Sequence, residues 1–318
     1  MTMLSRVADR LYWMSRYLER AENTARFTSA YTHLILDLPR GTELGGWQVL
    51  VDILDAEPVF KKHYRVFNEQ NVLRFLIADL NNFSSINYAI KAARENVRTT
   101  RDVLPEETWE HVNELHIMCK DMAEKSVGRR HRYEFLEQII SRCQMINGLL
   151  MTTLCRDHPH RFIKLGHLME RADMTTRIVD VGAGAILERE NNNPAEDTLL
   201  WSSMLQSLSA ISAYRQKIGP LVEPDPAVNF IFKEQTLPRT VAFCLKGILE
   251  ELQPLKNNET AIGIAESALR KLTRFDVQKK SYEELHQFID QFQIYLCDLD
   301  NAITNTWFLP IPTEPQEA

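Results

Sequence analysis

Acidic side chains followed by an arginine one turn later are the groups in this sequence with the clearest potential for chemistry. Segment 18–26 carries Glu19, Glu22 and Arg26. On a helical wheel of about 100° per residue, Glu22 lies in the middle of the apolar stripe, Glu19 and Arg26 lie on its borders, and Arg20 points away. The pattern predicts a carboxylate, that of Glu22, in a helical core.

The same arrangement recurs in segment 169–177, where Asp173 takes the central position and Glu170 and Arg177 flank it. A desolvated carboxylate is costly unless it is paired, hydrogen-bonded, metal-bound or protonated. An ion pair with the arginine four residues later meets this need, and we favour that structural interpretation. The alternative is a polar pocket, because acids and arginines that face a bundle interior also hold metals or phosphates.

Two further arginines could complete such a pocket. Arg94 and Arg101 lie on the margins of the apolar stripe of segment 86–97, from which they could face Glu22 or an anionic ligand. A solvated helix face is the competing interpretation. The second half of the chain lacks these arginines, so an anion site of this kind would belong to the first half. The candidate polar pocket comprises Glu19, Glu22, Arg26, Arg94, Arg101, Glu170, Asp173 and Arg177.

Motifs for metals and cofactors are incomplete in this chain. A di-iron bundle uses Glu-x-x-His on two helices with additional Glu ligands, whereas the chain has Glu-x-x-Glu at 19–22 and His-x-x-Glu-x-x-Asp at 167–173. The Gly-Ala-Gly at 182–184 follows no strand and lacks the third glycine of a dinucleotide fingerprint. We therefore predict no metal and no cofactor, and we assign no catalytic residue.

The elements that position these residues are predicted to be helices. Apolar residues recur at three- and four-residue spacing along almost the whole chain, and alternating strand-like runs are absent. The sequence thus predicts an all-α protein. The predicted helices are 2–37, 45–64, 68–79, 84–103, 105–125, 130–155, 159–188, 196–218, 226–234, 238–253, 258–274 and 280–306.

Self-similarity indicates an internal duplication. Three groups of residues recur in the same order, at offsets of 151, 154 and 149. The matches are 18–26 with 169–177, the pattern that begins at Trp47 with that at Trp201, and the pattern that begins at Tyr133 with that at Tyr282.

The duplication predicts two divergent tandem repeats of a roughly six-helix bundle packed together. We expect the first repeat at 1–156, the second at 157–308 and a disordered tail at 309–318, since that tail is polar and rich in proline. The long opening helices of the two repeats are expected to form the seam between them.

Composition argues against several classes of protein. The net charge of −6 and the scattered Lys and Arg residues give no reason to expect a nucleic-acid partner. The five cysteines are odd in number and widely spaced, which favours reduced thiols over a disulfide framework. Charged residues interrupt the first 20 positions, and no apolar run reaches about 18 residues, so we expect no membrane span and a cytoplasmic location.

Three segments resemble a known family. They read MLSRVADRLYWMSRYLERAENTARF, AARENVRTTRDVLPEETWE and LPRTVAFCL, and they are similar to the bacterial alpha-E domain family. The resemblance covers nearly the whole chain, and the first two motifs are long and specific. It implies a helical domain that occurs beside, or fused to, a circularly permuted ATP-grasp protein, often together with a transglutaminase-like protease.

ATP-grasp enzymes activate carboxylates for amide bond formation, so the resemblance implies a peptide synthesis or modification system. We expect an accessory, non-catalytic partner of the ATP-grasp peptide ligase. The alternative is an enzyme or ligand-binding protein that uses its buried Glu, Asp and Arg clusters, with or without a metal. A scaffold that brings two partners together is a third interpretation. Open volume around the acids would favour an enzyme, whereas acids sealed in salt bridges would count against it.

Overall fold

The computed structural model describes residues 4–37, 46–187, 194–276 and 281–309, and in these ranges the chain is helical without a β-strand. The all-α prediction is therefore confirmed. The helices are α1 (Ser5–Asp37), α2 (Val49–Asp52), α3 (Glu57–His63), α4 (Glu69–Ile77), α5 (Ile86–Arg98), α6 (Glu106–Met122), α7 (Arg129–Thr153), α8 (His158–Leu187), α9 (Pro194–Ser207), α10 (Ile211–Lys217), α11 (Pro224–Lys233), α12 (Val241–Leu252), α13 (Glu259–Arg274) and α14 (Tyr282–Ile303).

Two of the predicted helices are each divided in the structure. Segment 45–64 is interrupted at Asp55, which has a φ of 50°, and Pro58 lies in the first turn of α3. Segment 196–218 is interrupted at Ser209, which has a φ of 53°. A residue in the left-handed region ends a helix, and glycine is the usual residue there. The predictions were wrong at these two positions because no glycine marks either turn.

The helices α1 and α8 form the centre of the molecule. They pack against each other, while α5, α7 and α9 also contact α1, and α12 and α14 also contact α8. Residues 21–25 of α1 are all buried. Five consecutive residues point to every side of a helix, so α1 is covered on more than the one face that an amphipathic helix buries. Because α1 is covered on several sides, the prediction that Arg20 points away from the core is wrong: its side chain lies against α8.

Small side chains let α1 and α8 approach closely. A Cβ atom added to Gly166 would lie 2.2 Å from the carbonyl oxygen of Tyr12 and 2.5 Å from Ser15 Oγ. Ser15 Oγ donates a hydrogen bond to the carbonyl oxygen of Ile163 at 2.6 Å. Only a glycine fits at the α8 side of this contact, so the crossing point sets the register in which the charged residues of the two helices meet.

Two consecutive sets of helices surround this pair. In the first set, α5 packs on α6 and α6 on α7; in the second, α12 packs on α13 and α13 on α14. The Ser85 hydroxyl accepts from the Tyr88 amide at the start of α5, and the Thr240 hydroxyl accepts from the Phe243 amide at the start of α12. Arg239 directly precedes this second cap.

Two sequence predictions concern properties outside the helical core. Within the described residues, no helix is both long enough and apolar enough to cross a membrane. The predicted tail at 309–318 lies outside the described residues apart from Leu309, which is exposed.

Candidate functional site

Glu19, at the middle of α1, is fully buried and surrounded by basic side chains. Arg171 of α8 donates to both carboxylate oxygens, with Nε at 2.8 Å from Oε1 and Nη2 at 3.0 Å from Oε2. His167 Nδ1 lies 3.1 Å from Oε2, and Arg239 Nη1 lies 3.3 Å from Oε1. A two-point contact of this kind matches the planar guanidinium group to the carboxylate.

Glu170, on α8, has the reciprocal environment. It is 1% exposed, and Arg20 of α1 donates to both its oxygens, from Nε at 2.5 Å and from Nη2 at 2.9 Å. Arg16 adds a bond from Nε at 2.8 Å and reaches Asp300 of α14 at 2.6 Å. The hydroxyl of Tyr12 donates to the same oxygen of Asp300.

The dipeptides Glu19-Arg20 and Glu170-Arg171 therefore exchange partners across the α1–α8 contact. Each glutamate binds the arginine of the other dipeptide with two hydrogen bonds, an arrangement that we call the Glu-Arg exchange. Removing one member of a buried ion pair typically costs about 3–5 kcal/mol because the other charge is left uncompensated. The Glu-Arg exchange thus favours one register of the two helices over others.

The charges around the glutamates keep both of them ionised. Burial by itself raises the pKa of Glu170, but the positive charges of Arg20 and Arg16 outweigh it and lower that pKa to about 2. Burial also raises the pKa of Glu19, but nearby positive charges outweigh it. The charge of Arg171 is the largest of these, and together they lower the pKa of Glu19 well below its usual range. Neither carboxylate is therefore suited to donate or accept a proton near neutral pH.

His167 is neutral at physiological pH. Burial, followed by the nearby charge of Arg171, lowers the pKa of His167 to about 3. Its contact with Glu19 is accordingly that of an uncharged imidazole with a carboxylate, and two arginines supply the positive charge at this site.

Glu22 forms an extension of the same network. Its Oε1 atom lies 2.8 Å from Arg26 Nη2, one turn later on α1, and 2.5 Å from Arg239 Nη2. Arg239 also donates to Asn23 Oδ1 at 2.7 Å. The second oxygen of Glu22, Oε2, is buried and has no hydrogen-bond partner among the described residues. Arg26 reaches further, to the hydroxyl of Ser209 at 2.7 Å.

Asp173 differs from the sequence prediction. It pairs with Arg177 at 3.1 Å, but the two side chains are 22% and 28% exposed. The prediction that Asp173 is the buried acid of the second segment is wrong, because Glu170 is the residue of this helix that faces α1. The Asp173–Arg177 pair is therefore a partly solvated contact within one helix.

Arg94 and Arg101 do not join the network around Glu22. Arg94 donates to Asn113 Oδ1 at 2.8 Å and to Glu95, and its guanidinium carbon lies 5.0 Å from the centre of the Trp109 ring. The guanidinium carbon of Arg101 lies 5.0 Å from the same ring. The two arginines thus form a cation–π cluster with Trp109 at the α5–α6 contact, apart from the acids of α1 and α8.

Several members of the network were missed by sequence reasoning. A signal for two of them was present, because Arg20 and Arg171 occupy matching positions in the repeated segments. A helical wheel ranks positions by one apolar stripe and therefore gives no information about a helix that is covered on several sides. The missed residues are Arg16, Arg20, His167, Arg171, Arg239 and Asp300.

An apolar cavity of about 70 Å³ lies between the C-terminal parts of α1 and α8 and the helices α2 and α9, and none of Glu19, Glu22 and Glu170 lines it. Its walls include Phe27, Leu50, Ile178 and Leu200. At Glu19 and at Glu170, a guanidinium group donates a hydrogen bond to each of the two carboxylate oxygens. These acids offer no open position for a metal or a reacting group.

The comparison with protein families bears directly on the Glu-Arg dipeptides. One family model matches residues 3–308, and it describes a predicted alpha-helical domain with a conserved ER motif. This chain belongs to the Alpha-E family. Within the described residues of this Alpha-E domain, the sequence Glu-Arg occurs at 19–20 and 170–171, the two dipeptides of the Glu-Arg exchange. No curated protein and no solved structure matches the chain.

Proposed function

We propose that this Alpha-E protein is a non-catalytic accessory partner of a circularly permuted ATP-grasp peptide ligase in a bacterial peptide synthesis or modification system. The family membership supports this proposal, since the resemblance noted above implies that genomic setting. On this proposal the protein acts in the cytoplasm, and a transglutaminase-like protease is a second partner.

The observation that carries the non-catalytic role is the sealing of Glu19 and Glu170. Glu19 and Glu170 are each bound through both oxygens by an arginine and held ionised by neighbouring charges. A general acid or base needs a pKa near the working pH and access to a substrate, and neither glutamate has these properties. The network is suited to holding helices together, which leaves the outer surface for partners.

We further propose that the chain consists of two related units, at 1–156 and 157–308. In the described part of the chain, α1 to α7 fall in the first unit and α8 to α14 in the second. The Glu-Arg exchange supports a twofold relation between them, because its two halves consist of equivalent residues in reversed roles. On this proposal the tandem units bind their partners as one rigid body.

A second pair of contacts supports the same relation. The hydroxyl of Thr24 donates to the carbonyl oxygen of Ser84 at 3.2 Å, just before α5. The hydroxyl of Thr175 donates to the carbonyl oxygen of Arg239 at 3.3 Å, just before α12. Thr24 and Thr175 are separated by the same 151 positions as the repeated segments.

Co-expression with the neighbouring ATP-grasp protein tests the accessory role. We expect a stoichiometric complex in size-exclusion chromatography and a change in the rate of ATP-dependent amide formation when this protein is added. If neither a complex nor an effect on ligation is found, the proposal is wrong.

A variant distinguishes an accessory protein from a catalytic one. Glu22→Gln keeps the shape of the side chain while it removes the charge of the acid with an unpartnered oxygen. If the role is non-catalytic, this variant supports ligation in proportion to the amount of folded protein, as judged by circular dichroism. A well-folded Glu22→Gln protein that binds the ligase but has lost its effect on ligation would contradict the non-catalytic role.

A further inference from the structure

A second group of ionisable residues lies outside the Glu-Arg network. His286 Nδ1 lies 2.8 Å from Asp180 Oδ1, and His286 Nε2 lies 3.6 Å from Asp290 Oδ2. One ligand atom from each of the three residues can be chosen so that all lie within 4.8 Å of one another. We refer to Asp180, His286 and Asp290 as the Asp-His-Asp cluster.

Two helices hold the Asp-His-Asp cluster in place. Asp180 lies on α8, and His286 and Asp290 lie one turn apart on α14, which packs against α8. The side chains of His286 and Asp290 are 43% and 60% exposed, whereas that of Asp180 is only 12% exposed. An ion can therefore reach the cluster from solvent and still find one anchored, shielded ligand.

The electrostatics of Asp180 differ from those of the buried glutamates. The carboxylate of Asp180 contacts the imidazole of His286, and no arginine contacts it within the described residues. Glu19 and Glu170, by contrast, are neutralised by guanidinium groups. The carboxylates of Asp180 and Asp290 would both be stabilised by a cation placed between them and the imidazole.

We propose that Asp180, His286 and Asp290 form a binding site for a divalent transition-metal ion, with zinc as the ion that fits best. Zinc accepts imidazole nitrogen at about 2.0–2.1 Å and carboxylate oxygen at about 2.0–2.2 Å, and it prefers four ligands. The mixture of nitrogen and oxygen donors disfavours Mg²⁺ and Ca²⁺, which take oxygen ligands. Three protein ligands leave the fourth position to water. This site is independent of the proposed docking role.

Titration of the chelator-treated, full-length protein with ZnCl₂ in a calorimeter tests this proposal. The exposed thiols of Cys155 and Cys297 are first alkylated, because free thiolates also bind zinc. We expect one zinc ion per chain and a higher melting temperature in its presence. The variants Asp290→Asn and His286→Ala should weaken binding by about tenfold or more, since changes even in outer-shell residues have effects of about 10- to 100-fold.

Asp298→Asn serves as the matched control, because it removes an exposed carboxylate from the same helix. We expect this variant to bind zinc as the unchanged protein does. The two cluster substitutions lie at partly exposed positions, and circular dichroism verifies that the variants are folded. The proposal is overturned if no saturable binding occurs, or if folded Asp290→Asn and His286→Ala bind zinc with unchanged affinity.

Discussion

At Glu19, two arginines and one neutral histidine surround a single carboxylate. Burial is the largest cause of the low pKa of His167, and a proton on this ring would also add a third positive charge to the site. The presence of a histidine at position 167 does not by itself reveal this low pKa. A histidine next to a glutamate in isolation would have a raised pKa, and burial, together with the charges of the two neighbouring arginines, reverses the direction.

The first prediction concerns the pH dependence that follows from His167. Its pKa is about 3 in the native state and about 6.5 in an unfolded chain, so the unfolded state takes up the proton first as the pH falls. Stability is therefore lost progressively below about pH 6.5. The variant His167→Asn lacks this titration, and the gap in unfolding free energy between it and the unchanged protein should close by on the order of 2 kcal/mol from pH 8 to pH 5.

Urea unfolding at a series of pH values measures this gap. The value at pH 8 serves as the internal reference, since the ring is neutral there in both states and any difference reflects the lost contact with Glu19. Parallel stability curves for the two proteins over this range would contradict the native pKa of His167.

At the scale of elements, the fold depends on how closely α1 and α8 approach. The contact of Gly166 with the backbone of Tyr12 and with Ser15 sets this distance. Helices that pack through side chains alone lie about 8–10 Å apart, and a glycine at the contact permits a closer approach. The closeness matters because the arginine side chains must reach the glutamates of the opposite helix with hydrogen-bond geometry at both oxygens.

The second prediction is that Gly166→Ala destabilises the protein. The new methyl group would meet a backbone oxygen at 2.2 Å, and since backbone cannot turn aside as a side chain can, the two helices must separate. We expect a loss of about 3 kcal/mol in the free energy of unfolding, the upper end of the range for overpacked sites. Thermal and urea unfolding followed by circular dichroism measure it.

Gly263→Ala is the matched control. Gly263 is an exposed glycine inside α13, and a Cβ atom there would meet nothing within 4 Å. This substitution should leave stability unchanged or raise it by up to about 1 kcal/mol through helix propensity. Equal effects of the two substitutions would show that the approach of α1 and α8 at Gly166 is not the cause.

At the scale of the whole molecule, the halves of the chain share a charged interior. Each half contributes one glutamate and one arginine to the Glu-Arg exchange, and Arg239 from the second half also binds Glu22 of the first. Burying an ion without its partner costs several kcal/mol, which is comparable to the total stability of about 5–15 kcal/mol of a typical domain. The halves are therefore expected to depend on each other for folding.

The third prediction is that fragments 1–156 and 157–318 fold only together. Expressed alone, each fragment should lack a cooperative unfolding transition, because α1 or α8 would lose the helix that covers it. Expressed together, they should form a complex with the circular dichroism spectrum and unfolding midpoint of the intact chain. A native-like cooperative transition in either isolated fragment would show that the halves are independent domains.

Much of the fold follows from the sequence, since periodicity predicts the long helices to within about three residues at most ends. The two breaks at Asp55 and Ser209 were not predicted, because neither position carries the glycine that usually marks a left-handed backbone. Of the candidate site, the burial of Glu22 could be anticipated from its place in the apolar stripe, whereas that of Glu19 and Glu170, on the borders of their stripes, could not. The positions of Arg94 and Arg101 beside Trp109 could not, since they depend on how α5 packs on α6.

The sequence by itself determined the helical class, the Alpha-E membership and the burial of Glu22 in an apolar stripe, because each of these follows from local spacing or from contiguous motifs. Only the tertiary structure decided which charge neutralises which. Glu19 and Arg171 are 152 positions apart, and Arg239 and Glu22 are 217 apart. A wheel compares residues of one helix. Glu19 meets Arg171 because α1 and α8 cross at a glycine, and Glu22 meets Arg239 because the residue just before the cap of α12 reaches α1, so both partners come from the packing and not from the neighbouring turn.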